Sequence, residues 1–276
     1  MIDIRRIAFV GAGNMATALI GGLISRGLAR ERIVVSDPNE SQCDKLRQDF
    51  GVTIAADNAA AAKDSELLVL AVKPQQMQTV AATLAPQIAP APPLIISVAA
   101  GINHASLTQW FGPMPAVVRT MPNRPALFGC GATALYAPAT VGAAARASAE
   151  AVMRAVGTTV WVDQESQMDT VTALSGSGPA YFFLFMEALE AAARARGLPA
   201  EVAHALTLQT ALGAAQMALQ ASDSLPDLRA QVTSKGGTTA AALAVFDAAD
   251  LRGIVAHALA AADRRSAELA AEFGGA

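Results

Sequence analysis

Cysteine, histidine and charge are scarce in this chain, and each shortage removes a class of chemistry. The two cysteines, Cys43 and Cys130, have neither metal-ligand nor redox spacing. No disulfide framework is expected, and a reduced, cytoplasmic setting is the default. The three histidines, His104, His204 and His257, are far apart and also lack metal-ligand spacing, so no metal is expected. His204 and His257 fall in predicted helices, where a partly exposed surface histidine is the simplest reading. No Gly-x-Ser-x-Gly elbow surrounds Ser175 or Ser177, because position 175 is serine rather than glycine, which disfavours hydrolytic chemistry. Charged residues make up 16% of the chain, the formal net charge is −3, and no dense Lys/Arg block occurs. Nucleic acid, whose binding needs neutralised phosphates, is not an expected partner. Apolar stretches are broken by Gly, Pro or charge well before the roughly 18 residues that a membrane span needs. The first residues lack the apolar run of a signal peptide.

Apolar residues are abundant instead, at 53% of 276. That supply supports two domains, and its excess points to helices buried between subunits as well as within one, so oligomerisation is expected. The run Arg6-Ile7-Ala8-Phe9-Val10-Gly11-Ala12-Gly13-Asn14-Met15-Ala16 carries an apolar strand directly into Gly-x-Gly-x-x-Ala. Leu19, Ile20, Leu23 and Ile24 then follow at helical spacing. In that context the motif is the fingerprint of a dinucleotide site. Gly11 permits the tight turn, Gly13 lets backbone approach a pyrophosphate, and Ala16 lets the helix lie close to its strand. A second strand, Ile33-Val34-Val35-Ser36, ends on Asp37, 21 residues beyond Ala16, where a strand-end residue reaches the adenosine ribose.

Further continuous apolar strands are predicted at 67–72, 94–98 and 117–119, with short strands at 132–136 and 158–162 around a helix over 141–156. Helices lie between the earlier ones, the pattern of a parallel sheet covered on both faces. From about Glu165 the strand signal stops. Helices are expected over 179–196, 200–221, 238–248 and 251–273. The last carries Leu251, Ile254, Val255, Ala258, Leu259 and Ala262 as one stripe. Ser177 with Pro179 reads as a helix start and Gly197-Leu198-Pro199 as a break. The expected class is α/β: a Rossmann doubly wound sheet over 1–164, followed by an all-helical domain over 165–276.

Three loops look specialised. Ala71-Val72-Lys73-Pro74 follows a parallel strand, at the edge where open sheets bind ligands. Met121-Pro122-Asn123-Arg124-Pro125 follows another strand end and is stiffened by two prolines. Thr233-Ser234-Lys235-Gly236-Gly237-Thr238-Thr239 opens a helix, and its glycines, N–H groups and hydroxyls suit a carboxylate. An ordinary capped turn is the competing reading of that last loop.

With Ser175-Gly176-Ser177-Gly178-Pro179-Ala180-Tyr181 added to these loops, the chain resembles the pyrroline-5-carboxylate reductases over nearly its whole length. The resemblance implies reduction of a small cyclic imino acid to L-proline, the last step of proline biosynthesis. It also implies a helical domain interlocked with a second subunit and a ring of such dimers. Nucleotide contacts carried over by position fall on Val10, Gly11, Ala12, Gly13, Asn14 and Met15, on Asp37 and Pro38 at the ribose, and on Asn58. They continue through Ala71, Val72, Lys73 and Pro74 to Val98 and Ala100, with Met121 and Pro122 bordering the nicotinamide. Substrate contacts fall on Glu165, Ser234, Gly237, Thr238 and Thr239. Asn58 also reads as a helix cap, and Glu165 as a boundary-loop carboxylate.

Relatives often carry threonine in place of Arg124, proline in place of Lys235, and serine in place of Asp37. A carboxylate at position 37 favours a free ribose 2′-hydroxyl and repels a 2′-phosphate. The resemblance implies NADPH as the cofactor, and Asp37 makes NADH possible as well. A cyclic imine is readily protonated, so hydride transfer is mainly a positioning problem, and the Thr239 hydroxyl is the candidate for orienting the ring nitrogen. Two other readings stay open. A β-hydroxyacid dehydrogenase shares the plan but typically uses a helical lysine, and the only lysine of the helical half, Lys235, lies in a glycine loop. A dinucleotide-sensing module would need no second anion loop.

Overall fold

The computed structural model describes residues 4–113 and 115–274; residues 1–3, on which the reading of the N-terminus partly rests, lie outside them. The chain forms two compact units, one of residues up to Ser177 together with 261–274, the other of Gly178–Ala260.

In the first unit the sheet contains β1 (Ile7–Val10), β2 (Ile33–Ser36), β3 (Thr53–Ile54), β4 (Leu67–Leu70), β5 (Leu94–Ser97), β6 (Val117–Met121), β7 (Gly131–Tyr136) and β8 (Gly157–Trp161). Their order is 3-2-1-4-5-6-7-8. The helices are α1 (Asn14–Ser25), α2 (Glu40–Phe50), α3 (Asn58–Ala62), α4 (Pro74–Ile88), α5 (His104–Phe111), α6 (Ala143–Arg154) and α7 (Gln167–Val171). Strand order reverses between β1 and β4, which leaves a crevice at their carboxyl ends.

The continuous apolar strands are explained by period-two alternation into two cores. Ile7, Phe9, Ile33, Val35, Leu67 and Val69 face one side with α1, α2 and α6. Ala8, Val10, Val34, Leu68 and Leu70 face the other, against α3, α4 and α5. Leu19, Ile20 and Leu23 of α1 are fully buried, each contributing about 1.5–3 kcal/mol of burial. The strands expected to be parallel, β1, β2, β4, β5 and β6, pair in parallel. β7 runs antiparallel to β6, a direction that hydropathy does not encode, since it reports burial alone.

The second unit contains α8 (Gly178–Ala195), α9 (Ala200–Gln220), α10 (Leu225–Gln231), α11 (Thr238–Ala248) and the start of α12 (Leu251–Phe273). Phe185 of α8 meets Phe246 of α11 with ring centroids 6.1 Å apart. Of residues 178–260, only Gly178 and Ala203 are buried. Phe182, Phe183, Leu184, Ile254 and Val255 are more than half exposed. The sequence-expected boundary at 164/165 lies before α7, whereas packing divides the chain after Ser177. The end of α12 belongs to the first unit, where Ser266 donates to Asp169 at 2.7 Å and Thr170 to Asp263 at 2.7 Å. The expected N-cap at Ser177 differs in the structure. Ser177 is itself helical, at φ −85° and ψ −25°, because the chain enters α8 from a π-helical turn over Thr172–Gly176 rather than from an extended segment. No helix among the described residues is long and apolar enough to cross a membrane.

Candidate active site

The turn after β1 sits directly against the end of β4. Gly11 has φ +105°, and a Cβ there would lie 2.5 Å from the Ala71 carbonyl oxygen. The sequence-predicted Ala71–Pro74 loop thus meets the glycine turn at the point where strand order reverses. Gly13 is different: a Cβ there would meet nothing within 4 Å, so the space before α1 is open. α2, α3 and α5 close their own N-termini with Asn39, Asp57 and Asn103. α1 begins on Gly13 with no side-chain cap and no acidic residue in its first turn. Its leading N–H groups lack intrahelical partners and carry the positive end of the helix dipole, an arrangement that fits a pyrophosphate.

A cleft of ≈ 410 Å³ adjoins this turn, lined by Val10, Gly11, Asp37, Pro38, Asn58 and Val72 among others. The fold therefore brings six of the predicted nucleotide contacts to one place. The carboxylate of Asp37 accepts from Ala12 N–H through Oδ2 and from Asn39 N–H through Oδ1, both at 2.8 Å. Asn58 is not the cap of α3. Asp57 takes that role, accepting from Ala60 N–H at 2.7 Å, and Asn58 Oδ1 instead accepts from the Ser36 hydroxyl at 2.8 Å. The role of Ser36 is not legible in the sequence, because a serine ending an apolar strand reads as ordinary strand punctuation.

Val98 and Ala100 follow β5, Met121 ends β6 and Pro122 follows it, so both pairs lie on the same carboxyl edge of the sheet as the cleft. Glu165, in the turn before α7, is held by donors from two elements. Its Oε1 accepts from Arg119 Nη1 of β6 at 2.9 Å and from the His104 N–H that starts α5. The Arg119 side chain is 6% exposed and that of Glu165 26%, so this is a largely desolvated ion pair. A lone arginine inside Val117-Val118-Arg119 was the available signal for it. Burial pushes the His104 imidazole below its ordinary pKa, and Arg119 adds to that; the Glu165 carboxylate and a backbone hydrogen bond at Val117 oppose it.

In the second unit, residues 234–237 form a tight turn in which Gly237 N–H donates to the Ser234 carbonyl at 3.0 Å. Gly236 has φ +70°, the left-handed conformation that a type II turn places at its third position. A Cβ at Gly237 would fall 2.4 Å from Ser234 Oγ, so the bare glycine lets that hydroxyl close on the turn. α11 then begins without a side-chain cap. Ser234, Gly237, Thr238 and Thr239 are thus gathered at one helix N-terminus, Thr239 half-buried and Thr238 exposed.

Comparison with known proteins matches residues 165–269 to a family model described as pyrroline-5-carboxylate reductase dimerisation. Residues 6–101 match one described as NADP oxidoreductase, coenzyme F420-dependent. The chain is 51% identical to the pyrroline-5-carboxylate reductase of Pseudomonas aeruginosa, with 98% of each chain covered. It is 44% identical to that of Vibrio alginolyticus, covering 96% of this chain and 97% of the relative. Among solved structures it is similar to a pyrroline-5-carboxylate reductase from Coxiella burnetii, with TM-score 0.93, 42% identity, and coverage of 97% of this chain and 99% of that one. It is also similar to the pyrroline carboxylate reductase of Plasmodium falciparum with NADP bound, with TM-score 0.85, 27% identity, and coverage of 98% and 100%. These matches decide among the readings that the loops left open: the chain belongs to the pyrroline-5-carboxylate reductase family.

Proposed function

We propose that this protein reduces L-1-pyrroline-5-carboxylate to L-proline with a reduced nicotinamide dinucleotide, the last step of proline biosynthesis. Beyond family membership, one observation carries the reading: two helices, α1 and α11, begin on glycine with uncapped N–H groups, each beside a built turn. The first suits a pyrophosphate, the second a small carboxylate. The bound dinucleotide supplies the hydride. Gly11 to Met15, Asp37, Pro38 and Asn58 hold its phosphates and ribose, and the loops at 71–74, 98–100 and 121–122 border the rest. Ser234, Gly237 and Thr238 take the substrate carboxylate, Glu165 is assigned to the substrate with them, and the Thr239 hydroxyl orients the ring nitrogen. Few acid-base groups are needed, since the protonated imine is already electrophilic.

The direct test follows reduced-nucleotide absorbance with pyrroline-5-carboxylate, using NADPH and NADH in parallel. Oxidation dependent on the imine supports the reading, and cofactor binding without oxidation sinks it. Thr239→Ala should lower kcat by roughly a hundredfold, the scale of losing one preorganised donor. Wild-type turnover would remove Thr239 from the mechanism.

NADPH is the family's cofactor in this reading, and Asp37 opens the site to NADH. In this reading its carboxylate faces the adenosine ribose; Asp37 lines the cleft and also a neighbouring recess with Glu40, Asp44 and Arg47. Arg47 is already paired with Asp44, so a 2′-phosphate meets net negative charge. Asp37→Ser should raise the NADPH-to-NADH ratio of kcat/KM by about tenfold, or about 1.4 kcal/mol; an unchanged ratio would release Asp37 from cofactor choice.

The functional unit in this reading is a homodimer through the helical half, assembled into a ring of dimers. The exposed apolar faces of α8 and α12 support it, since apolar patches of that kind mark interaction surfaces.

A further inference from the structure

One buried side chain joins the end of β6 to the turn that precedes α8. Asn123 is 9% exposed. Its Nδ2 donates to the Ser175 carbonyl oxygen at 2.9 Å, and its Oδ1 accepts from the Ala132 N–H of β7 at 2.9 Å. The Ser175 carbonyl needs an outside donor for a reason visible in the sequence. Were the chain α-helical there, the partner would be the N–H of residue 179, and that residue is proline. The preceding residues, Thr172–Gly176, already wind as a π-helix, with Ser177 N–H reaching back to the Thr172 carbonyl at 2.9 Å. Single π turns inside helices recur at functional sites. A second contact reinforces the first. A Cβ on Gly176 would lie 2.6 Å from Met121 Cε, so the thioether tip of Met121 rests on the bare backbone of the same turn.

We propose that Asn123 is a positioning residue for hydride transfer: by locking the π turn to β6 and β7 it sets where Met121 and Pro122 stand. This rests on the assignment of Met121 and Pro122 to the nicotinamide. Asn123 acts through that wall and not on a reacting atom. Displacing the wall leaves the phosphate and ribose contacts at the ends of β1 and β2 untouched, so cofactor affinity and the rate of transfer should separate.

Asn123→Asp keeps the acceptor for Ala132 and removes the donor to Ser175. The folded variant should retain NADPH affinity by fluorescence titration and KM for pyrroline-5-carboxylate, while kcat falls by about tenfold to a hundredfold, the scale of small misplacements at a reacting centre. Its kinetic isotope effect with 4-deuterated NADPH should rise, because transfer then limits turnover. Wild-type kcat and isotope effect would overturn the proposal. Should that variant not fold, Gly176→Ala asks the same question from the other side. Its methyl presses on the flexible tip of Met121 at a helical position that favours alanine, and the same split is expected, with wild-type kinetics again overturning the proposal. Met121→Ala separates this inference from the reading beneath it. An impaired Met121→Ala beside an unimpaired Asn123→Asp removes only the clamp. Unchanged turnover in Met121→Ala removes the nicotinamide wall, and the clamp with it.

Discussion

Gly11→Ala is expected to destabilise the first unit and to abolish measurable dinucleotide binding, whereas Gly13→Ala loses the binding alone. At φ +105° a side chain is strained whatever the space, at about 1–2 kcal/mol for a left-handed conformation. The space is also absent: the new Cβ would lie 2.5 Å from the Ala71 oxygen and 2.7 Å from its carbon. Both are backbone atoms at the end of β4 and cannot rotate away, so overpacking adds about 1–3 kcal/mol. At Gly13 no atom lies within 4 Å of the added methyl, and the fold should tolerate it. The methyl instead occupies the approach to the uncapped N-terminus of α1. Urea unfolding monitored by circular dichroism, paired with NADPH titration, reads the two effects separately. A Gly13→Ala protein that binds NADPH as tightly as the wild type would show that the pyrophosphate lies elsewhere.

Glu165→Ala is expected to cost about 3–5 kcal/mol, the range for breaking a buried ion pair by removing one partner. Arg119 is left charged with 6% of its side chain exposed, and the first N–H of α5 loses its acceptor. The destabilisation therefore comes less from the attraction lost than from the charge stranded. Replacing both partners, Arg119→Met with Glu165→Leu, should recover much of the loss, since an apolar pair strands no charge. A fall in urea midpoint for Glu165→Ala no larger than that of an ordinary surface substitution would remove this role. If Glu165 also touches substrate, Glu165→Gln, which keeps an acceptor, should raise KM beyond what its stability loss explains.

Much of this architecture could be read from the chain because burial and period coincide. Strands such as Leu67-Leu68-Val69-Leu70 are apolar at every position since alternate residues enter different cores, and the long helices at 200, 238 and 251 begin where their spacing predicts. The remainder depends on geometry that composition does not encode. The two-residue strand Thr53–Ile54 is too short for a period to register, and the reversed direction of β7 leaves no mark on hydropathy. The site divides in the same way. Glycine turns and strand ends announce themselves, because backbone approach restricts which residues fit. Side chains that act by completing another residue's hydrogen bond, Asn123 for Ser175 and Ser36 for Asn58, are visible only once distant segments meet.

The sparse interior of residues 178–260, where only Gly178 and Ala203 are hidden from solvent, reaches beyond catalysis. A stretch that sequesters so little within its own chain cannot offset the entropy of ordering its helices. Those helices draw their stability from assembly, which ties heat resistance to abundance: dilution should lower the melting temperature, and the helical half should loosen before the sheet does.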